Sequence, residues 1–87
     1  MSTPQLKIWE GQFGNDYTDR AKSDIVLRSS SFKLMLKDVF AYRALEVGCG
    51  KGDNLVALKG QIQQLYGIDP NVYAVERAKF KGLWVQK

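Results

Sequence analysis

The feature that most constrains this chain is a run of glycines at alternate positions, Gly48, Gly50 and Gly52, directly behind the apolar segment Ala44-Leu45-Glu46-Val47. Such glycines permit backbone angles closed to other residues and leave no side chain between the loop and whatever lies against it. Apolar residues at 44, 45 and 47 suit a strand covered on both faces, as in a parallel sheet. Asp53 and Asn54 follow, both favoured types at a helix start. A helix start presents N–H groups and the positive end of a dipole to an anion. A second apolar run, Ile62 to Ile68, ends on Asp69-Pro70. Strand, glycine loop, helix, strand and carboxylate follow the order of an open α/β sheet, where ligands dock at the carboxyl ends of the strands.

A carboxylate at the tip of the second strand can accept two hydrogen bonds from a ribose diol. The segment therefore reads as a nucleoside-binding half-site, and spacing narrows the nucleoside. A dinucleotide fingerprint wants G-x-G-x-x-G/A, but the residue at the last of those places, counted from Gly48, is Asp53. A phosphate loop ends in Gly-Lys-Ser/Thr, whereas Lys51 is followed by Gly52. What remains is Glu-x-Gly-x-Gly-x-Gly from Glu46 to Gly52, with Tyr66-Gly67-Ile68-Asp69 as a second, acidic segment. Together these resemble motif I and the following acidic motif of the class I S-adenosylmethionine-dependent methyltransferases. A glycine-rich turn in some other α/β protein is the competing reading.

The rest of the chain sets bounds. At 87 residues it is one small domain with a thin core, burying about 60–65% of its unfolded surface. A net charge of +4 is spread from Lys7 to Lys87 among acidic residues. No like-charge run reaches the length of a nucleic-acid tail, so nucleic acid is not an expected partner. The single cysteine, Cys49, excludes an internal disulfide and suits a reducing compartment,. The absence of histidine rules out a His-based triad, metal site or general base within these residues. No apolar segment approaches the roughly twenty residues of a membrane span and no signal-peptide pattern is present, so a cytoplasmic location is expected.

Ahead of the glycine loop, Leu6, Trp9 and Phe13 fall on one helical face, while Gly11 and Gly14 argue for a broken helix or a loop,. The order Trp9-Glu10-Gly11-Gln12-Phe13-Gly14-Asn15-Asp16-Tyr17 resembles the N-terminal segment of a methylase subgroup associated with pseudaminic acid biosynthesis. Residues 23 to 40 read as helix, with Asp24 at its start and an interruption at Ser29-Ser30-Ser31. Phe32, Met35 or Leu36, and Val39 or Phe40 form a stripe directed to the core,. Further helices are expected over Asp53–Lys59 and Asn71–Lys81, ended by Gly60 and Gly82,. Their inward residues would be Leu55 and Leu58 in the first and Val72, Val75 and Ala78 in the second. Leu83-Trp84-Val85 begins a third strand.

The methyltransferase resemblance implies an α/β, Rossmann-like three-layer fold, here truncated after the third parallel strand. It divides the chain into an N-terminal cofactor-covering segment, 1–22, and a partial methyltransferase domain, 23–87. It implies S-adenosylmethionine as cofactor, with a binding set of Tyr17, Glu46, Gly48, Cys49, Gly50, Gly52, Asp69 and Pro70. In that set Gly48, Gly50 and Gly52 lie against the methionyl and sugar portions. Glu46 accepts from loop N–H groups or from the cofactor's amino group. Asp69 holds the ribose hydroxyls or caps the helix ahead of Asn71, and Pro70 packs on the adenine. Tyr17 reaches the methionyl end, unless Trp9 and Phe13 simply pack on the sheet. Cys49 is a small loop residue rather than a nucleophile, since no base lies near it in sequence, and Lys51 is solvated. No catalytic residue and no metal ligand is assigned. The acceptor, a small molecule or a sugar-related one, would be chosen by residues outside these 87. Strand one would be an open edge, which invites pairing with a second copy, as a homodimer, or with a complementing chain. A non-catalytic module that associates through that edge is the alternative to an enzyme.

Overall fold

The computed structural model describes residues 3–20 and 24–87. Its elements are α1 (Pro4–Glu10), α2 (Gln12–Arg20), α3 (Ile25–Met35), β1 (Arg43–Val47), α4 (Asp53–Leu58), β2 (Gln64–Ile68), α5 (Val72–Phe80) and β3 (Trp84–Gln86). The three strands form one parallel sheet in the order β1-β2-β3. This is the expected α/β, Rossmann-like winding, with a helix between each strand and the next.

Local chemistry fixes several boundaries. Asp24 caps α3 by accepting from Leu27 N–H at 3.0 Å, and Asn71 caps α5 by accepting from Ala74 N–H at 2.7 Å. The break between α1 and α2 falls at Gly11, whereas Gly14 lies inside α2. α4 starts differently from the expectation. Its cap is Gly52, with no side-chain hydrogen bond, and Asp53 is already its first helical residue. The expected start of α3 at Ser23 lies outside the described residues.

Register fixes what each face carries. Leu45 stands opposite Tyr66 and Tyr66 opposite Trp84; Val47 stands opposite Ile68 and Ile68 opposite Gln86. The alternate residues, including Gly67 and Val85, face α4 and α5. There Cys49, Leu55, Val75, Ala78, Leu83 and Val85 form a buried cluster, with Leu65 packed against it. At Gly67 the layers approach closely. A Cβ there would lie 2.6 Å from Cys49 Sγ and 2.9 Å from Leu55 Cδ1.

Other expectations change as well. The first strand is covered on one face only: Leu45 and Val47 are exposed, because every helix packed on the sheet sits on the other side. α3 runs through Ser29–Ser31 without interruption and ends at Met35, where Leu36 turns the chain with φ −95° and ψ 7°. The helical stripe is thereby cut short. Phe32 and Leu36 are half-buried, whereas Met35, Val39 and Phe40 face outward. Val72 also points out of α5, whose buried residues are Ala74, Val75 and Ala78.

Candidate cofactor site

The loop between β1 and α4 turns through the left-handed region at Gly48 (φ 73°), Gly50 (φ 57°) and Gly52 (φ 86°), which a side chain strongly disfavours,. It is joined to the end of β2 by hydrogen bonds. Gly48 and Cys49 N–H donate to Ile68 O at 2.8 and 3.1 Å. Gly50 N–H donates to Asp69 Oδ2 at 2.8 Å. Asp69 Oδ1 in turn accepts from Asn71 N–H at 2.9 Å. The carboxylate at the tip of β2 thus holds the loop and the start of α5 together.

A second carboxylate is arranged differently. Glu46 Oε2 accepts from Asn54 Nδ2 at 2.6 Å, and Asn54 Oδ1 accepts from the guanidinium of Arg28 on α3. Glu46 Oε1 is buried with no hydrogen-bond partner. Burying an unpaired carboxylate oxygen costs free energy, and such atoms concentrate where something else completes them. Glu46, Arg28, Asn54 and the loop line a cavity of about 180 Å³. Leu6, Trp9, Val47, Asp69 and Pro70 line a neighbouring one of about 430 Å³. Tyr17, Thr18, Gly48 and Gly50 border both, so the two form one cleft along the loop. Gly48 and Gly50 would meet nothing within 4 Å if a Cβ were added, leaving free space beside the loop there.

The outer wall is aromatic. Trp9 meets Phe13 and Tyr17 edge-on, with ring centroids 5.2 and 5.3 Å apart. Cys49 turns away into the core and is 8% exposed, its Sγ 3.6 Å from Gly50 O. Burial, then the charges of Asp69 and Glu46, push its thiol from 9.0 up to about 11. It stays protonated at neutral pH, which leaves it unreactive as a nucleophile.

The structure brings Tyr17, Glu46, Gly48, Cys49, Gly50, Asp69 and Pro70 onto one cleft. Gly52 lies outside it, because its Cα abuts the layer behind; a Cβ there would come 2.2 Å from Leu83 Cδ1. Lys51, expected to be solvated, is half-buried, with its side chain 4.0 Å from Asp53. Its carbonyl oxygen accepts from Lys81 Nζ at 2.9 Å, so α5 braces the loop. Sequence reasoning missed Arg28, Asn54 and Asn71 as parts of the site. Asn54 was legible only as a helix-start residue, and nothing local marks Arg28, which reaches the site through the packing of α3 on α4.

The fold matches a Rossmann-like methyltransferase fold through its third parallel strand. No family model matches the chain, and no curated protein matches it. Twelve chains of solved structures do. One is the plantazolicin methyltransferase BamL, solved in complex with a triazolic desmethylPZN analog and SAH. It is 27% identical over 94% of this chain, with a TM-score of 0.61. The chain spans 35% of that enzyme's length.

Proposed function

We propose that this chain binds S-adenosylmethionine along the glycine loop and serves methyl transfer to a small-molecule acceptor. The observation that carries the reading is the buried, unpartnered Oε1 of Glu46, a residue that lines the smaller cavity. An amino-acid end group fits there, its ammonium on Glu46 and its carboxylate toward Arg28. Asp69 already accepts two N–H bonds, but a carboxylate offers about four acceptor sites. Those that remain suit the two hydroxyls of a ribose, with Pro70 beside the base. Tyr17 and Trp9 shield this end from water. Bound, the cofactor supplies an electrophilic methyl group on a sulfonium centre. The chain's own contribution is to hold and orient it, and positioning supplies much of the rate of such a displacement.

On this reading the acceptor, for which the Trp9–Tyr17 segment suggests a sugar-related compound, is chosen by residues beyond these. A cytoplasmic setting suits the free Cys49. The test is calorimetric titration with S-adenosylmethionine of the unsubstituted chain, Glu46→Gln and Asp69→Ala. Charged hydrogen bonds are worth roughly 1.5–3 kcal/mol, so each substitution should weaken binding about tenfold or more. Binding that neither change affects, or none by the folded chain, would overturn the proposal.

A second reading, a non-catalytic module that associates with a second copy, draws on the unpaired edge of β1 next to exposed Leu45 and Val47. Light scattering decides it, since a monomer at high concentration would remove it.

A further inference from the structure

Asn71 is 2% exposed and lies where three parts of the molecule meet: the N-terminal helix pair, the tip of β2 and the start of α5. Its Oδ1 accepts from Ala74 N–H at 2.7 Å, which fixes the orientation of the amide,. Its Nδ2 then points away from α5 and donates to Trp9 O and to Asn15 Oδ1, each at 2.7 Å, with Gly11 O further off at 3.4 Å. Its backbone N–H donates to Asp69 Oδ1 at 2.9 Å. One side chain therefore uses its acceptor on the core and both its donors on α1 and α2. Capping needs only the acceptor, and an aspartate or serine would supply that equally well. The two donors are what distinguish asparagine here.

The opposite side of the contact is shaped to match. Gly14 in α2 lies so close that a Cβ would fall 2.7 Å from Asn71 Nδ2 and 1.9 Å from Trp9 O. A glycine inside a helix is unfavourable relative to alanine, so its place here answers to the close approach. A surface ion pair, Lys87 Nζ to Glu10 Oε2 at 2.7 Å, ties α1 to the chain just beyond β3 as well.

We infer that Asn71 is a positioning residue for the cleft. It docks α1 and α2 against the end of β2, and so sets Trp9 and Tyr17 as the outer wall opposite Asp69. Asn71 itself borders the larger cavity, but the role inferred is the docking of those residues, and the effect on cofactor affinity rests on the function proposed above.

Asn71→Asp separates this role from capping, because it keeps the acceptor and loses both donors. With Trp84→Phe in all samples, Trp9 is the only tryptophan, and its emission reports whether the wall is docked. Asn71→Asp should shift that emission to the red, speed proteolytic cleavage within residues 4–20, and weaken S-adenosylhomocysteine about tenfold. Circular dichroism of the remaining fold should change little. Gly14→Ala should reproduce the pattern from the other side of the contact, although alanine is the better helix former. Unchanged emission in both variants would overturn the docking role. A red shift with unchanged affinity would overturn the role in the cleft. If the unsubstituted chain takes up no S-adenosylhomocysteine, the cofactor reading falls and with it the role in the cleft, while the emission shift still decides the docking.

Discussion

The two faces of the sheet are furnished differently. Toward α4 and α5 stand Ala44, Glu46, Leu65, Gly67 and Val85; on the other face stand Leu45, Val47, Tyr66, Ile68 and Trp84. The covered face is trimmed so that Cys49 and Leu55 can come against the backbone of β2. Of the buried cluster, Leu55, Val75 and Ala78 come from the helices, Cys49 and Leu83 from loops and Val85 from β3. The other face carries the larger side chains yet leaves Val47 and Trp84 each 74% exposed. Apolar bulk stabilises a fold only where something covers it, so the stability of this chain resides in one layer.

Removing a side chain from the covered layer tests that assignment most severely. Leu55 is fully buried, so Leu55→Ala should lose about 2–5 kcal/mol. That is a large part of the roughly 5–15 kcal/mol typical of a domain, and chemical denaturation would show it as a collapsed midpoint. A loss below about 1 kcal/mol would mean the cluster is not the core.

Alkaline pH probes the same layer more gently. The Cys49 thiol is pushed from 9.0 to about 11 in the folded chain, so the unfolded chain releases this proton first. Its contribution is intact below about pH 9 and is lost as the pH rises toward 11, by up to about 3 kcal/mol,. Lysines and tyrosines titrate there too, so the measurement is the difference from Cys49→Ala, whose stability should fall less steeply over that range.

The open face should respond least. Trp84→Thr is expected to change stability by no more than about 0.5 kcal/mol, as at an ordinary surface site. A larger loss that grows with protein concentration would show this face covered by another copy, and would erase the contrast between the two.

The contrast also explains what could be read from the sequence. The path from Ala44 to Asp69 was legible because its constraints are local: glycines where the backbone turns left-handed, a carboxylate at a strand end, and an apolar run before each. Asp24 could be recognised as a helix cap for the same reason. The faces of β1 were not legible, because Leu45 and Val47 are as apolar as a doubly covered strand requires and only packing shows which side the helices take. Periodicity carried the α3 stripe too far, since no glycine or proline marks the turn at Leu36. Arg28 and Asn71 were invisible as site residues for a related reason. Asn71 meets Trp9 across 62 positions of sequence, and Arg28 meets Asn54 across 26.

The bond from Gly50 N–H to Asp69 Oδ2 has a kinetic meaning. It closes a ring through the intervening chain and fixes the glycine loop through the chain's own groups. The entropy of ordering that loop is therefore settled when the chain folds, not when a ligand arrives. The Gly50 amide should exchange slowly with deuterium in the free protein, and a ligand should reach the cleft at the pace of diffusion and of movements in α1 and α2, rather than waiting for the loop to form.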